Sequence, residues 1–162
     1  MLRLTKKADY GLIALMHLAG KEAGRSASAK EIADSYRIPL PLLSKVLQKL
    51  ARAGFLRSEH GSYGGYRLAR PAGHITALEV IRSIDGPIFL TSCFTGATAC
   101  DQSTCCTVRE PLRKVHDGIQ NLLSSISIAD MAEEDREELV ACAPGQPVAA
   151  APAAPLTVLP TV

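Results

Sequence analysis

Four of the chain's five cysteines, Cys93, Cys100, Cys105 and Cys106, stand within fourteen consecutive residues. Gly96, Asp101, Gln102 and a run of Ser and Thr surround them, so little in this stretch could bury itself as a hydrophobic core. Thiolates are soft, polarisable ligands, and thiolates crowded into a polar loop suit a soft metal centre. The adjacent pair Cys105 and Cys106 offers a second chemistry, thiol redox catalysis. No general base or substrate-binding motif accompanies that pair, and neighbouring cysteines form only a strained disulfide. A third possibility is a metal-free loop that docks a protein partner. Cys142, the fifth thiol, stands at the border of a Pro/Ala-rich tail and reads as incidental.

The compartment bears on these choices. No apolar run reaches the ~18 residues needed to span a membrane. The N-terminus, Met1-Leu-Arg-Leu-Thr-Lys-Lys, lacks a signal-type apolar block with a small-residue cleavage site. The expectation is a cytoplasmic protein with no membrane partner, where thiols stay reduced and clustered cysteines favour metal binding or redox sensing over structural disulfides. At 162 residues there is room for one ordinary domain, or a small domain with a helical appendage.

The net charge of +2 hides an asymmetry: residues 1–70 hold 13 Lys/Arg against 5 Asp/Glu, and residues 71–162 hold 5 against 11. A basic N-terminal half is the electrostatic footprint of a nucleic-acid reader, although many solvated faces are also basic.

The elements that would present that charge can be read in order. An apolar stripe of Leu12, Ile13, Leu15, Met16 and Ala19 predicts a helix over about residues 6–20, with Asp9 in its first turn and Gly20 at its stop. Ser28 and Glu31 have capping-box spacing and open a second helix, from Ala29 to about Tyr36. Residues 37–39 form a short turn. Pro41 suits the first turn of a third helix that stops at Gly54. Leu43, Val46, Leu47 and Leu50 are its buried face, and Ser44, Lys45, Gln48, Lys49 and Arg52 its outer one.

Two short helices joined by a tight turn, the second polar and basic outside, are the ingredients of a helix-turn-helix. Residues 55–60 then alternate like a strand, residues 61–65 are a Gly-rich turn containing Tyr63, and residues 66–70 alternate again. A hairpin after the recognition helix makes a winged helix. Gly64 and Gly65 would let its tip approach a phosphate backbone. The expected DNA-contacting set is Ser28, Pro41, Leu42, Ser44, Lys45, Gln48 and Lys49, with Arg57, His60, Tyr63, Gly64, Gly65 and Arg67 from the wing. A basic protein-interaction domain of the same fold is the plainer alternative.

Residues 75–84 read as another short helix with Thr76 as its cap. Beyond the cysteines, Thr107 and Glu110 repeat the capping-box spacing. Val108, Leu112, Val115, Ile119, Leu122 and Ile126 then step by alternating fours and threes, a heptad seam that points to a paired helix and a homodimer. The expected fold is mainly α with a small β-hairpin wing. It divides into a winged helix-turn-helix over 1–85, a cysteine-rich loop over 86–106, a long dimerisation helix over 107–132 and a mostly disordered tail over 133–162.

Leu4-Thr5 through Asp9-Tyr10, the wing residues Gly64-Gly65-Tyr66-Arg67-Leu68, Ala77-Leu-Glu-Val-Ile81 and the cysteine loop before a long helix together resemble the IscR/NsrR-type regulators, in the same order over roughly residues 1–132. These are bacterial winged-helix dimers that bind an iron–sulfur cluster, and the likeness is greatest to regulators of SUF-type cluster-assembly operons. The resemblance implies Cys93, Cys100 and Cys106 as cluster ligands, with Cys105 a spare or alternative. It also implies a wing position, His60 here, where relatives often carry an arginine that enters the minor groove.

The fourth ligand departs from one branch of that family. IscR-like members have a histidine three residues after the last cysteine, where this chain has Arg109, whose guanidinium offers no lone pair to iron. NsrR-like members have an acid at the position of Asp9, contributed across the dimer. Asp9 is therefore the first candidate, with Glu110 and His116 behind it. A helix-dipole carboxylate is the plainer role for Asp9, a helix cap for Glu110 and a surface position for His116. Three thiolates and one such ligand suit [2Fe–2S] or [4Fe–4S] chemistry; the assembly-regulator likeness points to [2Fe–2S] and Asp9 to the other. Zinc is the rival metal, although the paired C-x₂-C knuckles of structural zinc are missing. The expected function is a non-enzymatic transcriptional regulator, repressor or activator, that binds a pseudo-palindromic double-stranded operator and senses cluster status.

Overall fold

The buried stripe of the third predicted helix organises the fold. In the computed structural model, which describes residues 4–21, 25–59, 64–91, 94 and 105–133, Leu43, Val46, Leu47 and Leu50 are all buried on one face of α3 (Leu40–Arg52). They pack against α1 (Lys6–Ala19), α2 (Ala29–Tyr36) and α4 (Ala77–Asp85). Ala8, Leu12 and Leu15 come from α1, Ile32 and Ala33 from α2, and Leu78, Val80, Ile81 and Ile84 from α4. Arg37 takes a left-handed conformation (φ 53°) that ends α2 and turns the chain into the recognition helix.

Local chemistry sets the helix starts. The Thr5 side chain caps α1 by accepting from Ala8 N, and Ser28 caps α2 by accepting from Glu31 N at 3.0 Å. The reciprocal half of that second box is replaced: the Glu31 carboxylate pairs with Lys21, which holds it below the usual carboxylate range. Thr76, the expected cap, and Glu79 form a complete capping box instead, so α4 starts at Ala77. Ile75 stays outside the helix because it is fully buried in an extended link.

The wing is the antiparallel pair β1 (Leu56–Glu59) and β2 (Gly65–Leu68), with Leu56 opposite Leu68 and Glu59 opposite Gly65. Gly54 (φ +83°) turns the chain from α3 into β1. The other edge of β2 is held by Ala27, which exchanges hydrogen bonds of 3.0 and 2.8 Å with Tyr66. A Cβ on Gly65 would stand 2.5 Å from the Ala27 carbonyl oxygen. The close approach that Gly65 serves is thus to its own chain, one residue before the cap of α2. The wing and the helix-turn-helix are one unit.

Helix α5 (Arg109–Ser125) differs from expectation at both ends. The Thr107–Glu110 capping box does not form, because Val108 is the cap residue and Glu110 pairs with Arg113 one turn ahead. Arg113 also bonds Asp117 at 2.9 Å, and these charge-assisted contacts outcompete a return to a backbone amide. At the far end the helix stops before Ile126, the last member of the heptad. Ile126 turns extended, and its carbonyl accepts from Ala77 N at 2.9 Å. Ile128 N then donates to Ile75 O at 2.8 Å, and the Ile128 side chain is wholly buried in the winged-helix core. The expected tail beyond residue 133 lies outside the described residues.

Candidate nucleic-acid interface and metal centre

At 100° per residue, Pro41, Lys45, Gln48 and Arg52 form one line along α3, and all four are exposed. Leu42 and Ser44 flank the line and are half-buried. Lys45 and Arg52 have no acidic partner among the described residues, so the line is uncompensated positive charge. Lys45, Gln48, Lys49, Arg52 and Ser83 together line a shallow groove between α3 and α4. Lys49 turns to the far side of that groove, where its Nζ donates to the Ile84 carbonyl at 2.8 Å. That contact places its ammonium at the carbonyl end of α4, where the helix dipole favours a cation. Arg52 is missing from the expected DNA set, yet its spacing from Pro41, Lys45 and Gln48 was visible in the chain.

In the wing, Arg57 is exposed opposite Arg67, and Arg67 pairs with Glu59 on the neighbouring strand. Arg57 therefore carries the freer charge. Gly64 is half-buried, whereas His60 and Tyr63 lie outside the described residues. Ser28 uses its hydroxyl as the cap of α2 and sits beside the Ala27–Tyr66 bridge, between wing and recognition helix.

Of the thiols, Cys105 is exposed and Cys106 half-buried, and both are free. They precede the N-terminal end of α5, which favours anionic ligands. Cys93 and Cys100 lie outside the described residues. Among the described residues no three His, Cys, Asp or Glu side chains gather to hold a metal. A centre would draw on Cys93 and Cys100 as well, and the donor chemistry of free, soft, accessible thiols fits an iron–sulfur cluster.

Asp9 is exposed in the first turn of α1, with no side-chain hydrogen bond to another described residue. Its turn is tied to the entrance of the cysteine segment. Asp85, the last residue of α4, accepts from Thr5 Oγ1 at 2.6 Å and from Thr5 N at 3.1 Å. Glu110 is occupied by Arg113, which holds its carboxyl below the usual range. His116 is half-buried and faces the segment's base: its ring lies 5.3 Å from that of Phe94 and 6.3 Å from that of Phe89. Sequence reasoning missed this aromatic group, whose members are far apart in the chain and share no period.

A helix-turn-helix with an unpaired basic outer face, followed by a wing locked to it, defines a winged-helix DNA-binding protein. The chain belongs to the Rrf2 family, described as "Iron-dependent Transcriptional regulator", whose profile matches residues 4–134. It is therefore a transcriptional regulator. Among solved structures it is similar to CymR, the global cysteine regulator of B. subtilis, at 28% identity and TM-score 0.71, over 83% of this chain and 98% of that one. It is also similar to T. potens IscR, at 30% identity and TM-score 0.66, over 85% and 90%. Staphylococcus aureus CymR matches at 28% identity and TM-score 0.64, over 80% and 97%. No helix among the described residues is long and apolar enough to cross a membrane.

Proposed function

We propose that this regulator senses iron–sulfur cluster status and controls operons such as those for cluster assembly, acting in the cytoplasm as a homodimer. The observation that carries the reading is the attachment of the cysteine segment. Phe94, the residue after Cys93, packs on His116 of α5, and Cys106 leads into the start of the same helix. Cys93 and Cys106 thus each adjoin, in the chain, a point attached to the same element, with Cys100 and Cys105 between them in the sequence. That element leaves Val108, Val115 and Leu122 exposed in heptad spacing, the stripe that a second copy would cover.

Cys93, Cys100 and Cys106 would hold the cluster, with Asp9 as the fourth ligand and Cys105 in reserve. Such a cluster supplies a centre that is lost on oxidation, nitric oxide exposure or iron shortage. In the dimer, two α3 helices enter successive major grooves of a pseudo-palindromic operator, with half-sites about 34 Å or a multiple apart. Lys45 and Gln48 reach base edges and phosphates, and Arg57 carries the wing's charge.

A thiol-based regulator without a cluster is the second reading, favoured by the likeness to a cysteine regulator and by the free neighbours Cys105 and Cys106. One experiment separates the two. Protein purified without oxygen should absorb in the visible region and contain iron and labile sulfide in similar amounts. A colourless, iron-free protein whose operator affinity changes on thiol oxidation would establish the second reading instead.

A further inference from the structure

One side chain of α5 joins the DNA-binding core to the base of the cysteine segment. Gln120 Oε1 accepts from an Arg82 guanidinium nitrogen at 2.7 Å. Its Nε2 lies 2.8 Å from His116 Nε2 and 3.5 Å from the Ile88 carbonyl. Arginine has donors only, so the Arg82 contact fixes which end of the amide is oxygen. The amide nitrogen must then donate to His116 Nε2, which places the imidazole proton on Nδ1. In this arrangement neither ring nitrogen offers a lone pair to a metal. The ring instead packs against Phe94 and lies near-parallel to Phe89, at an interplanar angle of 5°.

On the other side, Arg82 stands on α4, two residues before Ile84. The Ile84 carbonyl accepts from Lys49 of the recognition helix. One ring contact and three hydrogen bonds, joined within α4 by the backbone from Arg82 to Ile84, therefore lead from the residue beside Cys93 to α3. We propose that Gln120 is a positioning residue: through His116 it holds Phe89 and Phe94 at the base of the cysteine segment, and through Arg82 it sets the register of that base on α4. This rests on the reading that the segment is the sensor, and names the route by which its state reaches the recognition helix. Apolar contacts on this face would slide as the base moves. The directional hydrogen bonds of Gln120 to His116 and Arg82 are either made or broken, which is what a two-state link needs.

The test uses the full chain. Gln120→Leu removes all three hydrogen bonds at similar volume, and Arg82→Lys keeps a donor for Gln120 Oε1. In cluster-free protein, Gln120→Leu should speed amide hydrogen exchange at residues 88–90 and 94, and the ¹⁵N shifts of wild-type His116 should report the proton on Nδ1. For a duplex selected by the wild-type protein from a random pool, the affinity ratio between cluster-loaded and cluster-free forms should fall by about 2- to 30-fold in Gln120→Leu. Arg82→Lys should retain most of the ratio, and cluster absorbance should be unchanged in both variants. Unchanged exchange would overturn the link, and an unchanged affinity ratio in an iron-loaded variant would overturn its role in coupling. A wild-type protein that takes up no iron or sulfide sinks the cluster reading and this coupling with it, while the exchange measurement still decides whether Gln120 holds the segment's base.

Discussion

In the winged-helix half, Leu15, Ile32, Leu43, Leu47 and Leu50 have no exposed surface at all. In α5 no residue is buried, and Val108, Val115 and Leu122 are 57%, 50% and 61% exposed. Both regions carry an amphipathic helical stripe of similar quality in the sequence. One stripe finds its partners inside the protomer; the helix of the other meets the winged-helix half along only part of its surface, with Gln120 bonded to Arg82 of α4 and Leu123 packed against the core. The difference teaches that the winged-helix half is completed by its own burial, whereas among the described residues nothing covers the outer stripe of α5. In the reading proposed above a second copy covers it.

The comparison predicts unequal costs for the same truncation. Leu47→Ala should destabilise the fold by about 2–5 kcal/mol, read as a lower denaturation midpoint at every protein concentration. Leu122→Ala should leave the midpoint of dilute protein nearly unmoved and raise the dimer dissociation constant, measured by analytical ultracentrifugation. Equal, concentration-independent losses at both positions would erase the distinction. Gly65→Ala comes next. The added methyl meets a backbone oxygen that cannot step aside, and overpacking of this kind costs about 1–3 kcal/mol. Because Ala27 adjoins the α2 cap, operator binding should fall along with stability, whereas Gly73→Ala, which meets open space, should change neither.

Smaller effects distinguish the cations. Lys45→Ala should reduce the slope of log affinity against log salt by about 0.9, the share of one phosphate neutralised. Lys49→Met should change that slope much less, because its ammonium is committed to Ile84. Equal slope changes would put both lysines on the DNA. The smallest effect concerns His17. Burial, then Lys21, lowers its pKa from 6.5, while Glu31 opposes them. A base whose folded pKa is depressed adds stability above its unfolded value. Stability should therefore decline as pH falls below about 6.5, and less steeply in His17→Gln.

How much of this was legible beforehand depends on the range of the interaction. The α3 stripe, the Ser28 and Thr76 caps, the hairpin and the outer line of Lys45 and Gln48 all follow from residues within about two turns of each other. The chain states such relations directly. The spacing also located the cysteines and a heptad; the regulator class came from the resemblance, and the family match supports it as a transcriptional regulator.

Other features needed the folded chain. Thr107 and Glu110 have the same spacing as Thr76 and Glu79, but only the second pair closes, since Arg113 competes for Glu110 and Arg70 supports Glu79. Lys45 and Lys49 are indistinguishable by type, and only the position of the α4 carbonyl end separates them. Ile126 fits the heptad, yet the core's need for Ile128 pulls the chain off the helix one residue after Ser125. Phe89, Phe94 and Arg82 share no period with His116 and Gln120, which are one turn apart on α5. In sequence only His116 stands out, as a candidate ligand, and nothing links it to Phe89, Phe94 or Arg82, because hydrogen bonds and ring contacts are short-ranged in space and blind to distance along the chain. Local order belonged to the sequence alone; which polar groups met was decided by packing.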